Sequence, residues 1–219
     1  MLMAQLVFNF AASCSYRIED FIVTNSNQEA FSSLMQWINW PHNILLLVGP
    51  QYSGKTHLST IFQKLSSAVF TSRDNLQTYE DFFHSNSSPF ILDSLKFQEL
   101  EEPLLHFYNL CREKQRTLLL TAETHPIQWD IKLPDLKSRL VATRTITIQQ
   151  PDDILIKGIL LKRFSDLQIS ISDNVLEYLL THIERSYSAI QNIVLLLDEA
   201  SLAEQKKVTL PLIKRVLNL

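Results

Sequence analysis

The chain has 219 residues, of which 46% are hydrophobic and 20% are charged, and its formal net charge is −3. This composition predicts a soluble globular protein, either one large domain or one domain with an appendage, and argues against a dedicated electrostatic surface for DNA. Cys14 and Cys111 are isolated, the six histidines are scattered, and no apolar run approaches the ~20 residues that span a bilayer. We therefore expect free thiols in a reducing cytoplasm, no histidine-based metal site and no membrane segment.

Residues 1–13 contain an apolar pattern that has two interpretations. The alternation over residues 5–10 is typical of an edge strand or a frayed terminus. The alternative is a short peptide that docks on a partner. In that case Gln5 supplies hydrogen bonds, while Leu6, Phe8 and Phe10 fill apolar pockets.

The segment around Ile22 ends in a cluster of helix-capping residues, and a helix is predicted over residues 28–37. The same segment lies just upstream of a glycine-containing loop at residues 49–56. Residues in this position often close over a nucleotide base. Ile22 and its neighbours therefore either form a wall for adenine or pack in the core.

The loop at residues 49–56 is the strongest signal in the sequence. An aliphatic strand (44–48) precedes it, a helix from Lys55 to about residue 65 follows it, and it reads G-x-x-x-x-G-K-T. In such loops backbone N–H groups and the helix N-terminus cradle phosphates, the lysine reaches the β and γ phosphates, and the threonine hydroxyl binds Mg²⁺. We therefore predict that ADP or ATP binds here, rather than that these residues form an ordinary strand-to-helix turn. The expected nucleotide contacts are Gly49, Pro50, Gln51, Tyr52, Ser53, Gly54, Lys55, Thr56, His57 and Ile22.

A second apolar strand ends in a carboxylate at Asp93. After a short strand (67–70) and one short helix (74–84), residues 88–92 read as a strand of the Walker B type, expected beside the phosphate-loop strand. Asp93 would hold Mg²⁺, together with Thr56, or would merely cap the next element. Ser94 stands where a second acid would orient the attacking water, so slow hydrolysis is expected.

Two further candidates follow in the next elements. A helix (99–114) and a buried strand (116–122) lead to Glu123, which either faces the γ-phosphate and its water or is a plain loop carboxylate. A helix over 133–140 carries Arg139, a candidate arginine finger for a neighbour's γ-phosphate, although a lone helical arginine is usually solvated. A β-branched strand (143–148) completes the sheet.

The composition changes at residue 151, after which the pattern is helical only. The predicted helices span 152–164, 172–184, 187–204 and 209–218. Because the earlier helices alternate with strands, the chain divides into an α/β nucleotide-binding domain with a parallel sheet (14–150) and a small all-helical lid (151–219).

This arrangement resembles the AAA+ P-loop NTPases, and the finer likeness is to their DnaA branch. The matching segments are 19–23 with Ser26 and Asn27, 54–58, 133–140 and 208–214, and the likeness covers about residues 16–219. An initiator of this branch would continue into a helix-turn-helix DNA-binding domain, whereas this sequence stops at Leu219. Its residues 5–10 are similar to the sliding-clamp-binding peptide of the regulatory inactivator (Hda, HdaA-like) family.

The resemblance implies a negative regulator of replication initiation without sequence-specific DNA binding. It would bind the DNA polymerase III sliding clamp through Gln5, Leu6, Phe8 and Phe10, and would promote ATP hydrolysis by DnaA with Arg139 as the trans-acting finger. AAA+ relatives commonly associate, so a homo-oligomer is possible. The alternatives are a helicase-loader-like ATPase and a stand-alone DnaA-type ATPase domain.

Two positions depart from the family pattern. Ser94 replaces the second Walker B acid, and Ser188 falls where the family's lid arginine is expected. Arg185 lies one turn earlier, and the sequence leaves open whether it substitutes. Both departures fit a nucleotide that acts as a structural ligand better than rapid turnover.

Overall fold

The computed structural model describes residues 16–85, 87–94, 100–204 and 208–217. Over these ranges the chain forms an α/β unit with a five-stranded parallel sheet, followed by a separate group of four helices. The predicted fold class is therefore confirmed. None of the helices within the described ranges is long and apolar enough to cross a bilayer, and the same ranges hold no group of three or more histidine, cysteine or acidic residues arranged to bind a metal ion.

The sheet consists of β1 (Ile44–Val48), β2 (Val69–Phe70), β3 (Phe90–Leu92), β4 (Leu118–Ala122) and β5 (Thr145–Thr147). Its strand order is β2-β3-β4-β1-β5. The predicted Walker B strand, β3, therefore does not lie beside the phosphate-loop strand, because β4 is inserted between them. Buried aliphatic strands look alike in sequence, so their local pattern does not encode their order.

Helices cover both faces of the sheet. The helices of the α/β unit are α1 (Gln28–Met35), α2 (Lys55–Ser66), α3 (Arg73–Gln77), α4 (Tyr79–Ser85), α5 (Glu101–Glu113) and α6 (Pro134–Ala142). Since successive strand side chains point to opposite faces, Leu46 packs with residues of α5 and α6, whereas Leu47 packs with residues of α1 and α2. The three central strands β1, β3 and β4 are therefore buried on both faces, whereas the edge strands β2 and β5 are partly exposed.

Several predicted helix boundaries were wrong, among them those of the segment 74–84 and the end of α1. The single helix expected over 74–84 is two helices, α3 and α4. Ser72 caps the first by accepting from the backbone N–H of Asn75, whose side-chain oxygen accepts in return from Ser72 N. Helix α1 ends at Met35 instead of Trp37, and the Trp40 indole then donates to Ser33 O (2.8 Å) across the turn.

The four later helices pack around their own apolar core. They are α7 (Asp153–Asp166), α8 (Asp173–His182), α9 (Tyr187–Glu204) and α10 (Leu210–Val216). Asp152 caps α7 by accepting from the N–H of Leu155 (2.8 Å). Leu155 and Tyr187 also belong to the core of the α/β unit, and the Tyr187 hydroxyl donates to Gln149 O (3.1 Å). These contacts hold the helical unit, called the lid below, against the sheet.

Candidate functional site

A cleft of about 420 Å³ lies between the α/β unit and the lid. Residues 51–57 of the predicted phosphate loop form one wall, and helix α7 of the lid forms the opposite wall. Residues 20–22 close one side, and Glu123 and Tyr187 also line it. The structure thus brings most of the predicted nucleotide contacts to one place, while Gly49, Pro50 and the predicted metal ligand Asp93 are not among the lining residues.

The two glycines of the loop occupy positions where a side chain does not fit. Gly54 has a φ of +91°, and a Cβ there would lie 3.0 Å from Phe21 Cε2. A Cβ on Gly49 would lie 2.8 Å from Ser53 Oγ. Ser53 Oγ is itself buried and has no hydrogen-bond partner among the described residues. A narrow cradle with an unsatisfied buried hydroxyl suits a ligand that offers oxygen atoms.

Lys55 begins helix α2 and is almost entirely buried. Its Nζ donates to Gly49 O and Pro50 O, each at 2.7 Å, so the ammonium group is folded back onto its own loop. Burial lowers the pKa of Lys55, and the nearby Glu123 and Asp93 carboxylates partly oppose that shift. A buried ammonium next to a backbone cradle favours an anionic ligand because the charge is poorly solvated.

Asp93 and Thr56 are in direct contact, although β3, which precedes Asp93, and β1, which leads into the loop before Thr56, are not neighbours in the sheet. Thr56 Oγ1 donates to Asp93 Oδ2 (2.9 Å), and Thr121 Oγ1 donates to Asp93 Oδ1 (2.6 Å). The Ser94 N–H donates in turn to Thr121 Oγ1 (2.7 Å). Both strands end at the same edge of the parallel sheet, which is why the intervening β4 does not separate these residues. A hydroxyl beside a carboxylate is an oxygen donor set that fits Mg²⁺.

Glu123 follows β4 and lines the cleft, as the sequence predicts for a residue at the carboxyl end of a strand. Its Oε1 accepts a hydrogen bond from Gln51 Nε2 (3.0 Å), which ties the loop to the end of β4. The side chain is exposed. It is therefore placed to accept a hydrogen bond from a water molecule in the cleft.

Ile22 lines the cleft and also packs against the core of the α/β unit, so the core-packing interpretation is confirmed and the adenine wall stays a prediction. Its carbonyl accepts from Asn27 Nδ2 (2.9 Å), which fixes the segment to the start of α1. Beside it, Phe21 contacts His57 edge-to-face, with ring centroids 5.2 Å apart. Burial lowers the pKa of His57, whose Nε2 lies 2.8 Å from Arg17 O.

Helix α7 supplies the lid wall, and the sequence did not single out its residues. Leu155, Ile159, Lys162, Arg163 and Asp166 line the cleft, and they recur at intervals of three and four along one helical face. The available signal was this spacing combined with the two adjacent basic residues. Nothing local indicates which face of a lid helix turns toward a cleft.

Arg185 does not replace the missing lid arginine in this structure. Its Nε donates to Asp153 Oδ1 (2.8 Å) at the start of α7, its side chain is mostly exposed, and it is not among the cleft-lining residues. Ser188 is exposed and lies outside the cleft as well, with its hydroxyl 3.2 Å from Ser186 Oγ. The basic lid side chains that line the cleft, Lys162 and Arg163, belong to α7.

Arg139 lies on α6, away from the cleft-lining residues. Its Nε is buried and has no hydrogen-bond partner within the described ranges. Thr143 Oγ1 donates to Arg139 O (2.8 Å) and also lies 2.9 Å from the Tyr108 hydroxyl, so the end of the helix is anchored to α5. Gln5, Leu6, Phe8 and Phe10 lie outside the described residues.

Comparison with known proteins identifies relatives for both units. Residues 157–217 match the family model "Hda, lid domain". The chain is 25% identical over 240 aligned positions to the chromosomal replication initiator protein DnaA of Buchnera aphidicola, covering 98% of this chain and 55% of that protein. It thus spans about half the length of that relative.

Solved structures show the same fold. Domain III of the Thermotoga maritima replication initiation protein DnaA matches with a TM-score of 0.74 and 17% identity, over 93% of this chain and 95% of that one. An AMPPCP-bound DnaA from Aquifex aeolicus matches with a TM-score of 0.63 and 17% identity, over 87% of this chain and 69% of that one. The five-stranded sheet followed by a helical lid is thus an AAA+ fold of the DnaA domain III type.

Proposed function

Because the chain is a DnaA-related AAA+ protein with a lid of the Hda family, we propose that it is a nucleotide-bound negative regulator of replication initiation. In this role it binds ADP or ATP in the cleft, docks on the DNA polymerase III sliding clamp, and promotes ATP hydrolysis by DnaA. The single observation that carries the proposal is the Hda lid match over residues 157–217, joined to a loop with an intact phosphate cradle.

The residues of the cleft divide the binding of nucleotide among them. The loop N–H groups and Lys55 hold the phosphates, and Ile22 with the apolar face of α7 flanks the base. Thr56 and Asp93 would hold Mg²⁺ directly or through its water molecules. The metal would supply positive charge that neutralises the phosphates. The AMPPCP bound by the Aquifex aeolicus relative supports a nucleotide in this fold.

The cleft is better suited to holding nucleotide than to hydrolysing it. Ser94 offers no carboxylate next to Asp93, and its N–H is engaged with Thr121. Glu123 is the acidic side chain that lines the cleft near the loop, and it is hydrogen-bonded to Gln51. We therefore expect weak intrinsic hydrolysis, since the residue that follows Asp93 in the sequence is a serine and not an acid that could act as a general base.

The proposed activity toward DnaA uses Arg139. Arg139 is not among the residues that line this chain's own cleft, and a guanidinium group binds phosphate oxygens through two parallel N–H donors. An arginine supplied in trans neutralises transition-state charge on the transferred phosphoryl group. Anchoring of the helix end through Thr143 and Tyr108 limits the entropy lost when the guanidinium docks.

The test is ATP hydrolysis by DnaA in the presence of this chain, with and without the sliding clamp loaded on DNA. The wild-type chain should stimulate hydrolysis, and Arg139→Ala should abolish the stimulation while keeping its own nucleotide affinity. Lys137→Ala, an exposed change on the same helix, is the matched control and should behave as wild type. Full stimulation by Arg139→Ala would contradict the trans role.

The clamp contact is tested separately. A Leu6→Ala/Phe8→Ala double variant should lose affinity for the clamp in a titration, because two apolar anchors are removed together. Asn9→Ala serves as the control, since no contact is assigned to Asn9. Unchanged clamp affinity in the double variant would show that the partner is wrong.

The match of almost the whole chain to DnaA favours a second candidate, a stand-alone DnaA-type ATPase domain. A helicase-loader-like ATPase has no observation of its own in this structure. Both alternatives require competent intrinsic turnover, on the order of 1 s⁻¹. Steady-state hydrolysis by the chain alone separates them from the regulator, which should hydrolyse far more slowly.

A further inference from the structure

Helix α7 touches the segment 20–22 at two points that lie one helical turn apart. Gly158 approaches Ile22, and Lys162 forms an ion pair with Asp20. Ile22, Asp20 and Lys162 all line the cleft. Helix α9 contributes Tyr187 alone to the lining, so the position of α7 largely defines the lid wall.

The first contact depends on a glycine in the middle of a helix. A Cβ on Gly158 would lie 2.9 Å from Ile22 Cδ1 and 3.4 Å from its Cγ2. The Ile22 backbone is held by its hydrogen bond from Asn27, so the segment cannot shift freely to make room. Glycine is unfavourable inside a helix, and the close approach of α7 to Ile22 is a packing feature that favours it here.

The second contact is a partly buried ion pair. Lys162 Nζ lies 2.7 Å from Asp20 Oδ1, and each side chain is 29% exposed. The lid contains a comparison pair, Arg185 with Asp153, whose side chains are 59% and 62% exposed and lie outside the cleft. Charges shielded from solvent interact more strongly than exposed ones, so the Lys162 pair should hold more tightly.

We infer that Asp20 and Lys162 are positioning residues for the nucleotide, holding α7 against the base side of the cleft and thereby slowing nucleotide release. This inference rests on the proposed nucleotide binding. A ligand enclosed between the loop and α7 escapes when α7 moves away from segment 20–22. An interaction made only in the closed arrangement shifts the equilibrium toward closure and lowers the dissociation rate.

The test is the dissociation rate of a fluorescent ADP analogue, N-methylanthraniloyl-ADP, chased with excess ADP in a stopped-flow instrument. Asp20→Asn and Lys162→Met should each raise the rate on the order of fivefold. The double variant should be no faster than either single variant, because both remove the same contact. Asp153→Asn and Arg185→Met remove the comparison pair and should leave the rate unchanged.

A purely structural role is separated by two further measurements. The melting temperature of the nucleotide-free single variants should stay near that of the wild type, while the dissociation rate changes. The charge-reversed variant Asp20→Lys/Lys162→Asp should recover a slower rate than either of its single changes. Recovery of this kind requires the pair itself and is not expected from a general loss of packing.

Three results would overturn the inference: single variants that release the analogue at the wild-type rate, rate increases that multiply in the double variant, or equal increases in the Asp153 and Arg185 variants. If the wild-type chain does not bind the analogue at all, the proposed function fails and this inference fails with it. If the wild type binds the analogue and the Asp20 and Lys162 variants release it at the wild-type rate, only this inference fails and the proposed function stands.

Discussion

The two walls of the cleft are built in different ways. The loop wall is held by short hydrogen bonds, with Lys55 donating to two loop carbonyls and Asp93 accepting from Thr56 and Thr121. The lid wall consists of one helical face of α7, held by apolar packing and by the Lys162–Asp20 ion pair. In the proposed function the loop wall therefore contacts the phosphates, and the lid wall controls how firmly the nucleotide is enclosed.

The cores beneath these walls are also distinct. The lid packs around its own apolar cluster, and it joins the α/β unit through Leu155 and Tyr187. Burial raises the pKa of Tyr187 to about 12, with a hydrogen bond to Ser26 opposing the shift, so its hydroxyl stays protonated. Because the two cores are separate, a cavity made in one core should disturb the cleft wall that packs on that core before it disturbs the other wall.

The largest expected effect comes from the centre of the sheet. Leu46→Ala leaves a cavity in a fully buried strand and should lower the free energy of unfolding by about 2–5 kcal/mol. Because β1 leads directly into the loop, ADP affinity should fall as well. Leu179→Ala, fully buried in the lid core, is the control. Urea unfolding measures the free energy of unfolding of each variant, and ADP titration measures its affinity. Equal losses of ADP affinity in the two variants would contradict separate roles for the two cores.

The next effect concerns the oxygen ligands. Asp93→Asn removes the carboxylate that accepts from Thr56, and it should reduce the gain in ATP affinity on adding Mg²⁺ by roughly 10- to 100-fold. Titrations of ATP with Mg²⁺ and with EDTA measure this difference. Asp130→Asn, an exposed change, should leave it intact. A full Mg²⁺ effect in Asp93→Asn would place the metal elsewhere.

A smaller effect is expected at the contact of the two walls. Gly158→Ala should overpack against Ile22 and weaken ADP binding about fivefold, despite the better helix propensity of alanine. Ile22→Val removes the Cδ1 atom that a Cβ would meet, so the double variant Gly158→Ala/Ile22→Val should recover affinity. Calorimetric titration measures all three. Tighter ADP binding by the Gly158→Ala single variant would show that ADP binding does not depend on the close approach of α7 to Ile22.

The smallest effect is a pH dependence from His57. Burial lowers its pKa below the usual 6.5, so the unfolded chain takes up a proton at a higher pH than the folded chain. Stability is therefore present above pH 6.5 and lost as the pH falls from there through the folded-state pKa. His57→Gln should lose less stability than the wild type between pH 7.5 and 5.5, by urea unfolding. Parallel losses in both chains would exclude His57 as the source.

Much of the loop wall could be predicted from the sequence because the signals for it are local. Gly49, Gly54 and Lys55 follow an aliphatic strand at fixed spacing, and their roles in shaping the loop depend on backbone conformation. Most helix and strand positions were likewise predicted from hydrophobic periodicity. Hydrophobic periodicity does not show where one helix ends and the next begins, so α3, which Ser72 caps, and α4 were predicted as a single helix.

The lid wall could not be predicted from the sequence because its contacts join distant parts of the chain. Asp20 and Lys162 are 142 positions apart, and neither position has a local pattern that indicates the other. The strand order failed for the same reason, since β1, β3 and β4 are similar aliphatic runs. Arg185 was the nearest basic residue in sequence to the expected lid arginine, yet it pairs with Asp153 outside the cleft.

Nucleotide binding at Lys55 is the central claim, and calorimetric titration of ADP and ATP into the purified chain measures it. The wild type should bind at least one of them. Lys55→Ala should bind it roughly 10- to 100-fold more weakly, because a buried charged donor to the phosphates is lost. Absence of binding by the wild type, or equal affinity in Lys55→Ala, would contradict the account.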